Sequence, residues 1–256
     1  MNTLLLAQLI IYIILIQPIT YITYRHGLHG LLGWGYLSIF CTLRIVGGGL
    51  GFNRDSTVAY IINSVGISPL LLAVDGVLHE AKTYRNPHLH KAFHWAFVII
   101  MHMTVMGAVV VAAKGAAGLA GNNPTSTDTN LLQAGIAILE TCWAILVIWA
   151  LFALLPAQRA KNAPGYKEGS TLLYGSLIAL VFIGIRVLYA LVADCTQDAK
   201  LNPMSGELAI RVVLGLISEL VTVLVFIYVG VRTLDVRKYA GVDARKSEDR
   251  SVENWA

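Results

Sequence analysis

Three carboxylic acids within apolar stretches of the chain are the side chains best suited to acid chemistry: Asp75, Glu140 and Glu219. A carboxylic acid surrounded by apolar side chains can keep its proton and donate it to a substrate. A charged side chain at the centre of a bilayer costs about 2.5–3.5 kcal/mol, so it needs a partner, a cavity or a function. We therefore expect these three residues to be the catalytic candidates, and the sequence leaves open which of them is the acid.

Further polar and aromatic residues fall at similar depth in the apolar stretches, although they are far apart in sequence. One interpretation is structural: Arg44 pairs with Glu140, and Arg186 pairs with Glu219, so that buried ion pairs fix the packing of the helices. The other is functional: the same residues line a pocket that opens toward the outer face, where an indole stabilises positive charge. The residues that we expect to bind a substrate are Arg44, Asn63, His102, Trp143 and Arg186.

A second polar group lies near the end of the third apolar stretch, where Asp75 and His79 are four residues apart. This spacing places both on one face of a helix, which suits an acid–base pair or half a metal site, but such residues also end helices at lipid head groups. His88, His90 and His94 lie in a basic loop and at a helix entry. These positions favour side chains that face solvent or lipid head groups. We expect no metal site and no cofactor, because the chain has no nucleotide-binding loop and no strong metal motif.

The elements that position these residues follow from composition. Of the 256 residues, 56% are hydrophobic and 13% are charged, which is typical of a membrane protein. The basic residues are dispersed between apolar runs, so we expect no nucleic-acid partner and expect the lipid bilayer as the surroundings. Crossing a bilayer takes about 20 apolar residues in a helix. The sequence predicts seven such spans: Thr3 to Tyr24, Leu31 to Gly51, Ser56 to Glu80, Phe93 to Ala113, Leu131 to Leu155, Thr171 to Asp194 and Glu207 to Val231.

Orientation follows from the lysine and arginine residues outside the spans. The first, third and fifth loops and the C-terminal tail carry thirteen of them, whereas the second, fourth and sixth loops carry three. Basic loops remain in the cytoplasm. The predicted fold is therefore an all-α bundle of seven transmembrane helices over residues 1–234, with the N-terminus outside. A charged, disordered cytoplasmic tail is predicted over residues 235–256.

Three short segments carry a resemblance to a known family: Arg25 to Gly27, Leu43 to Gly47 and Asn63 to Leu71. In these segments the sequence resembles a fungal family of seven-span integral membrane proteins that is a domain of unknown function. The resemblance covers most of the chain and implies the seven-helix fold and a fungal origin. It supplies no catalytic residues.

The size and topology are also similar to those of small membrane-bound terpene cyclases of fungal secondary metabolism, which protonate an epoxide or alkene with a buried carboxylic acid. That similarity implies an enzyme that cyclises a hydrophobic prenylated (meroterpenoid) molecule, in the endoplasmic reticulum. The alternative is a seven-transmembrane sensor or receptor, or a small-solute transporter, in the plasma membrane. A retinal protein is disfavoured, because the seventh span has no lysine for a Schiff base.

The charge bias predicts that a reporter fused after Ala256 is active only in the cytoplasm. A cysteine introduced into the predicted fourth loop, residues 115–130, should react with a membrane-impermeant thiol reagent in intact cells. Protection of that cysteine, in protein shown to be at the cell surface, would contradict the predicted orientation.

Overall fold

The computed structural model of the protein describes residues 3–50, 62, 66–87, 91–121, 123–202 and 206–236. Three predictions lie wholly or mainly outside these residues. They are the role of Asn63, the first half of the third predicted span and nearly all of the charged tail, of which the structure describes only Asp235 and Val236. His88 and His90 also lie outside the described residues.

All regular elements in the described part of the chain are helical, as predicted. The last helix begins with a normal turn, Leu208–Ile210, continues through a π-helical segment, Arg211–Ile217, and ends with Ser218–Arg232; we treat these three pieces as α7. The other helices are α1 Thr3–His26, α2 Leu31–Leu50, α3 Ser68–Arg85, α4 Lys91–Leu119, α5 Ser126–Phe152 and α6 Tyr166–Thr196.

Six of these seven helices are long and apolar enough to cross a membrane, namely all except α3. The protein is therefore an integral, multi-pass membrane protein. The described part of α3 carries Asp75, Glu80, Lys82 and Arg85, which explains why it is less apolar than the others. A seventh crossing and the orientation of the termini stay predictions.

Helix α3 lies at the centre of the bundle. It packs against α2, α4, α5 and α6, while the outer helices pack in the order α4, α5, α6, α7, α1 and α2. All of its residues are buried except His79 and Thr83. Among the described residues α2 and α4 do not form an extensive packed pair, so the outer layer has a seam between these two helices.

A glycine contact brings the central helix against α2. A Cβ atom added at Gly76 would lie 2.3 Å from the backbone nitrogen of Gly33. A Cβ atom added at Gly33 would lie 2.7 Å from the backbone nitrogen of Val77. Because small residues let helix backbones approach closely in a membrane, these two glycines determine the distance between α2 and α3.

The loop between α4 and α5 is shorter than predicted. Helix α4 continues to Leu119, beyond the predicted end at Ala113, and α5 begins at Ser126. The reason is a capping box in which the Thr125 backbone N–H donates to Asp128 (2.9 Å) and the Asp128 N–H donates to the Thr125 hydroxyl (3.4 Å). Polar residues that suggested a loop therefore start a helix.

Substitution of Gly76 by alanine should destabilise the bundle, because the added methyl group overlaps the backbone of α2. Overpacking of this kind costs about 1–3 kcal/mol. The matched control is Gly107→Ala on α4, where an added Cβ meets nothing within 4 Å. Thermal unfolding in detergent should show a lower midpoint for Gly76→Ala only, and equal midpoints for both variants would contradict the close packing of α2 and α3.

Candidate functional site

The first buried polar cluster joins α1, α2, α6 and α7 around one carboxylate. Arg44 donates from Nη2 to Glu219 Oε1, and Arg186 donates from Nε to the same oxygen at 2.8 Å. The hydroxyl of Tyr12 lies 3.5 Å from the other carboxylate oxygen of Glu219. All four side chains are buried. The sequence-based pairing of Arg186 with Glu219 is present, but Arg44 shares this carboxylate and does not pair with Glu140.

The π-helical segment of α7 ends immediately before this cluster, at Ile217. A π-helical turn contains an extra residue relative to an α-helix and is frequent at functional sites. Glu219, in the first turn after it, accepts hydrogen bonds from two guanidinium groups. A carboxylate that accepts hydrogen bonds from arginines of two other helices suits helix association.

Glu140 and Trp143 lie on α5, away from this carboxylate. The Trp143 indole N–H donates to the Leu180 carbonyl of α6 at 2.8 Å, and the ring packs against Gly184. Glu140 is half-buried, and its enclosed Oε2 atom has no hydrogen-bond partner among the described residues. The structure therefore does not bring Glu140 into the cluster with Arg186, and Trp143 acts as a link between α5 and α6.

The second cluster pairs Asp75 of α3 with His102 of α4. Asp75 Oδ2 lies 3.3 Å from His102 Nδ1, which also lies 2.8 Å from the Val98 carbonyl. Both side chains are largely buried. The sequence left open a pairing of Asp75 with His79, four residues along the same helix, but the ring of His79 instead packs against Trp95. The carboxyl–imidazole contact thus forms between two helices.

The third cluster was not predicted from the sequence. His26 Nδ1 lies 2.8 Å from Glu80 Oε1, and the Trp34 indole N–H donates to Glu80 Oε2 at 3.0 Å. His26 Nε2 lies 3.3 Å from the Gly230 carbonyl. These contacts join α1, α2, α3 and α7 in the core. The only feature of the sequence that pointed to this cluster is that His26 belongs to a segment carrying the family resemblance. The sequence predicts a loop at His26, so its burial was not expected.

A crevice of about 800 Å³ lies at the seam between α2 and α4, with α3 as its back wall. It is bounded by the loops after α1 and after α3, which are predicted to be cytoplasmic. Ile39 on α2 and Trp95 on α4 flank it and are both 48% exposed, so it opens sideways. Its polar lining includes Tyr36, His79 and Lys82, and the only two residues of α3 that are not buried, His79 and Thr83, both line it.

Tyr36 connects this crevice to the second cluster. Its ring lines the crevice, and its centroid is 5.1 Å from that of the His102 ring. The Asp75–His102 pair therefore lies beside the crevice wall, and His102 Nε2 is enclosed without a hydrogen-bond partner in the described chain. The crevice provides a place for a hydrophobic molecule next to a carboxyl–imidazole pair, although neither Asp75 nor His102 is itself a lining residue.

Replacing Glu219 by glutamine should destabilise the protein, because two buried arginines then lose the anion that they share. Removing one partner of a buried ion pair costs about 3–5 kcal/mol. Thermal unfolding in detergent should show a clearly lower midpoint for Glu219→Gln than for the control Glu207→Gln, whose side chain is exposed. An unchanged midpoint for Glu219→Gln would show that the cluster does not hold the helices together.

Comparison with known proteins places the chain by family and not by activity. No curated protein and no solved structure matches it. One family model matches residues 1–237, which is nearly the whole chain, and its description is a domain of unknown function. The match agrees with the resemblance in that both point to a family of unknown function, and the six apolar helices fit a membrane protein family. The chain therefore belongs to the family of the domain of unknown function DUF7702.

Proposed function

We propose that the protein is a membrane-bound enzyme that takes a prenylated small molecule from the bilayer and cyclises it by acid catalysis. The observation that carries this proposal is the lateral crevice with the Asp75–His102 pair beside its wall. A crevice open between two membrane helices suits a substrate dissolved in lipid, since the molecule need not pass through water. Fungal secondary metabolism and the endoplasmic reticulum are the setting that the architectural similarity suggests.

The proposed reaction is an isomerisation in which the protein supplies and recovers one proton. The Asp75 carboxyl transfers its proton to the epoxide oxygen of the substrate, the C–O bond breaks, and a carbocation forms at the more substituted carbon. The π electrons of a neighbouring alkene then form a new C–C bond, which moves the positive charge along the chain. Loss of a proton from the adjacent carbon to the Asp75–His102 pair leaves a cyclic alkene and an alcohol.

The walls of the crevice suit a cationic intermediate. Tyr36 on α2 and Trp95 on α4 both line it, and the π face of an aromatic ring attracts positive charge. Leu28, Leu31, Leu32 and Ile39 add aliphatic surface, and exclusion of water by a bound substrate would prevent early capture of the cation. In this proposal Arg44 and Arg186 hold Glu219 in a structural role. Glu140, which is half-buried and whose enclosed Oε2 atom has no hydrogen-bond partner in the described chain, is the alternative acid.

A sensor or transporter is the second candidate function. The observation in its favour is that Glu80, which lines the crevice, also contacts His26 of α1 and Trp34 of α2 in the core. A bound solute that moved Glu80 would alter contacts among four helices.

Replacing Asp75 by asparagine should lower turnover at least about 100-fold, because the amide cannot supply a proton of useful acidity and general acid catalysis contributes about 10²–10⁴-fold. Membranes containing each variant would be incubated with linear prenylated epoxides, and cyclic products followed by mass spectrometry. Glu140→Gln is the matched comparison and should retain activity.

Two outcomes would change this assignment. Normal cyclisation by Asp75→Asn together with loss in Glu140→Gln would move the acid to Glu140. A wild-type protein that cyclised none of a broad substrate panel but bound or moved a small solute would replace the enzyme with the sensor or transporter.

A further inference from the structure

Lys82 is an unusual residue in the wall of the crevice. The sequence places it in a basic cytoplasmic loop, but the structure places it in the last turns of α3, where it is only 5% exposed. Its Nζ atom lies 3.2 Å from the centre of the Trp149 ring, above the indole face. The residue is also among those that line the crevice, whereas Trp149, which its ammonium group covers, is not.

The acids near Lys82 are engaged elsewhere. Asp75 is paired with His102, and Glu80 is held by His26 and Trp34. No carboxylate oxygen lies within 4.0 Å of the Lys82 ammonium in the part of the chain that the structure describes. A cation–π contact is worth about 2 kcal/mol when desolvated, which is less than the several kcal/mol that burial of an ammonium ion costs. The charge of Lys82 therefore lacks a full counterpart within the crevice.

Apart from Glu80, whose carboxylate is held by His26 and Trp34, the polar groups near Lys82 in the crevice include hydrogen-bond donors. His79 and His94 line it, with their rings packed 4.9 Å from Trp95 and 5.4 Å from Trp149 respectively. Thr83 adds a hydroxyl, which donates to the His79 carbonyl. The facing wall, formed by α2 and the turn before it, is aliphatic and includes Leu28, Leu31, Leu32 and Ile39. The crevice thus has basic side chains on the wall formed by α3 and α4 and aliphatic side chains on the wall formed by α2.

We propose that the crevice binds an amphipathic molecule whose acidic oxygen head, such as a carboxylate, contacts Lys82, His79 and His94, while its hydrocarbon chain lies between α2 and α4. This inference rests on the proposed function and deepens it, because it names the class of head group that the substrate carries. The same head chemistry occurs in fatty acids of the bilayer and in prenylated acids, which the experiment must separate.

The position of Lys82 along α3 also sets the position of the molecule. Lys82 and Asp75 are seven residues apart and lie on the same face of the helix, about 10 Å apart along its axis. A molecule held by its head at Lys82 therefore brings atoms of its chain, about 10 Å from the head, to the level of the Asp75–His102 pair. Lys82 is in this scheme a binding residue, and it takes no part in the proton transfer.

The test uses the full-length protein in detergent and two photoreactive probes that differ in one group, a diazirine fatty acid with a free carboxylate and its methyl ester. We expect at least about tenfold stronger labelling of crevice peptides by the acid than by the ester. Lys82→Met should remove this preference, Lys82→Arg should retain it, and the control Lys167→Met, at an exposed position, should behave like the wild type. Equal labelling of the wild type by acid and ester would overturn the proposal, whether or not Lys82→Met folds.

Competition separates the two sources of the head group. Displacement of the probe by a linear prenylated carboxylic acid at a concentration where a saturated fatty acid has little effect supports a substrate site; the reverse result assigns the site to a bilayer lipid and overturns its role in the substrate. Binding is measured without turnover. Loss of cyclisation with intact Lys82-dependent binding therefore contradicts the proposed reaction, whereas cyclisation without any acid preference contradicts only this inference.

Discussion

The structure depends on one constraint: the charged groups of a helix at the centre of a membrane protein need polar partners that lipid cannot supply. Lipid offers no hydrogen bonds, so each charged group of α3 requires a neighbour. Glu80 binds His26 and Trp34, Asp75 pairs with His102, and Arg85 donates to the Ala153 carbonyl at the end of α5 (2.6 Å). These contacts reach α1, α2, α4 and α5, so satisfying one polar helix determines where most of the others stand.

The carboxylate of Glu219 provides the polar partner for the buried arginines that α3 does not contact. It draws Arg44 of α2 and Arg186 of α6 to α7, with Tyr12 of α1 beside it. The bundle therefore has two polar centres, one around α3 and one around α7. No such centre was found that joins α2 directly to α4 in the described chain, which agrees with the seam between those helices. The crevice occurs where neither helix packing nor polar contacts close the outer layer.

The sequence predicted the membrane class and six of the helices well, because long apolar runs depend only on local composition. It also predicted that charges in different spans meet, since burial in lipid requires it. It could not predict which charges meet: Arg44 contacts Glu219 and not Glu140, and Asp75 contacts His102 and not His79. Which charged residues contact each other depends on the order of the helices around the bundle and on the rotation of each helix about its axis. The spacing of residues within one helix determines neither. Lys82 was misplaced for a similar reason, since a lysine near a span end is usually exposed.

The seam between α2 and α4 has a consequence for how affinity should be understood. A lipophilic molecule that enters from the side first partitions into the hydrocarbon phase, where most of it then resides. Occupancy of the crevice therefore follows the number of ligand molecules per lipid molecule more closely than the total amount of ligand per litre of buffer. Adding empty membrane dilutes the ligand even when the aqueous volume is unchanged, whereas confinement to a thin bilayer raises its local abundance. A weak contact in the crevice can thus be occupied by a scarce but strongly lipophilic compound.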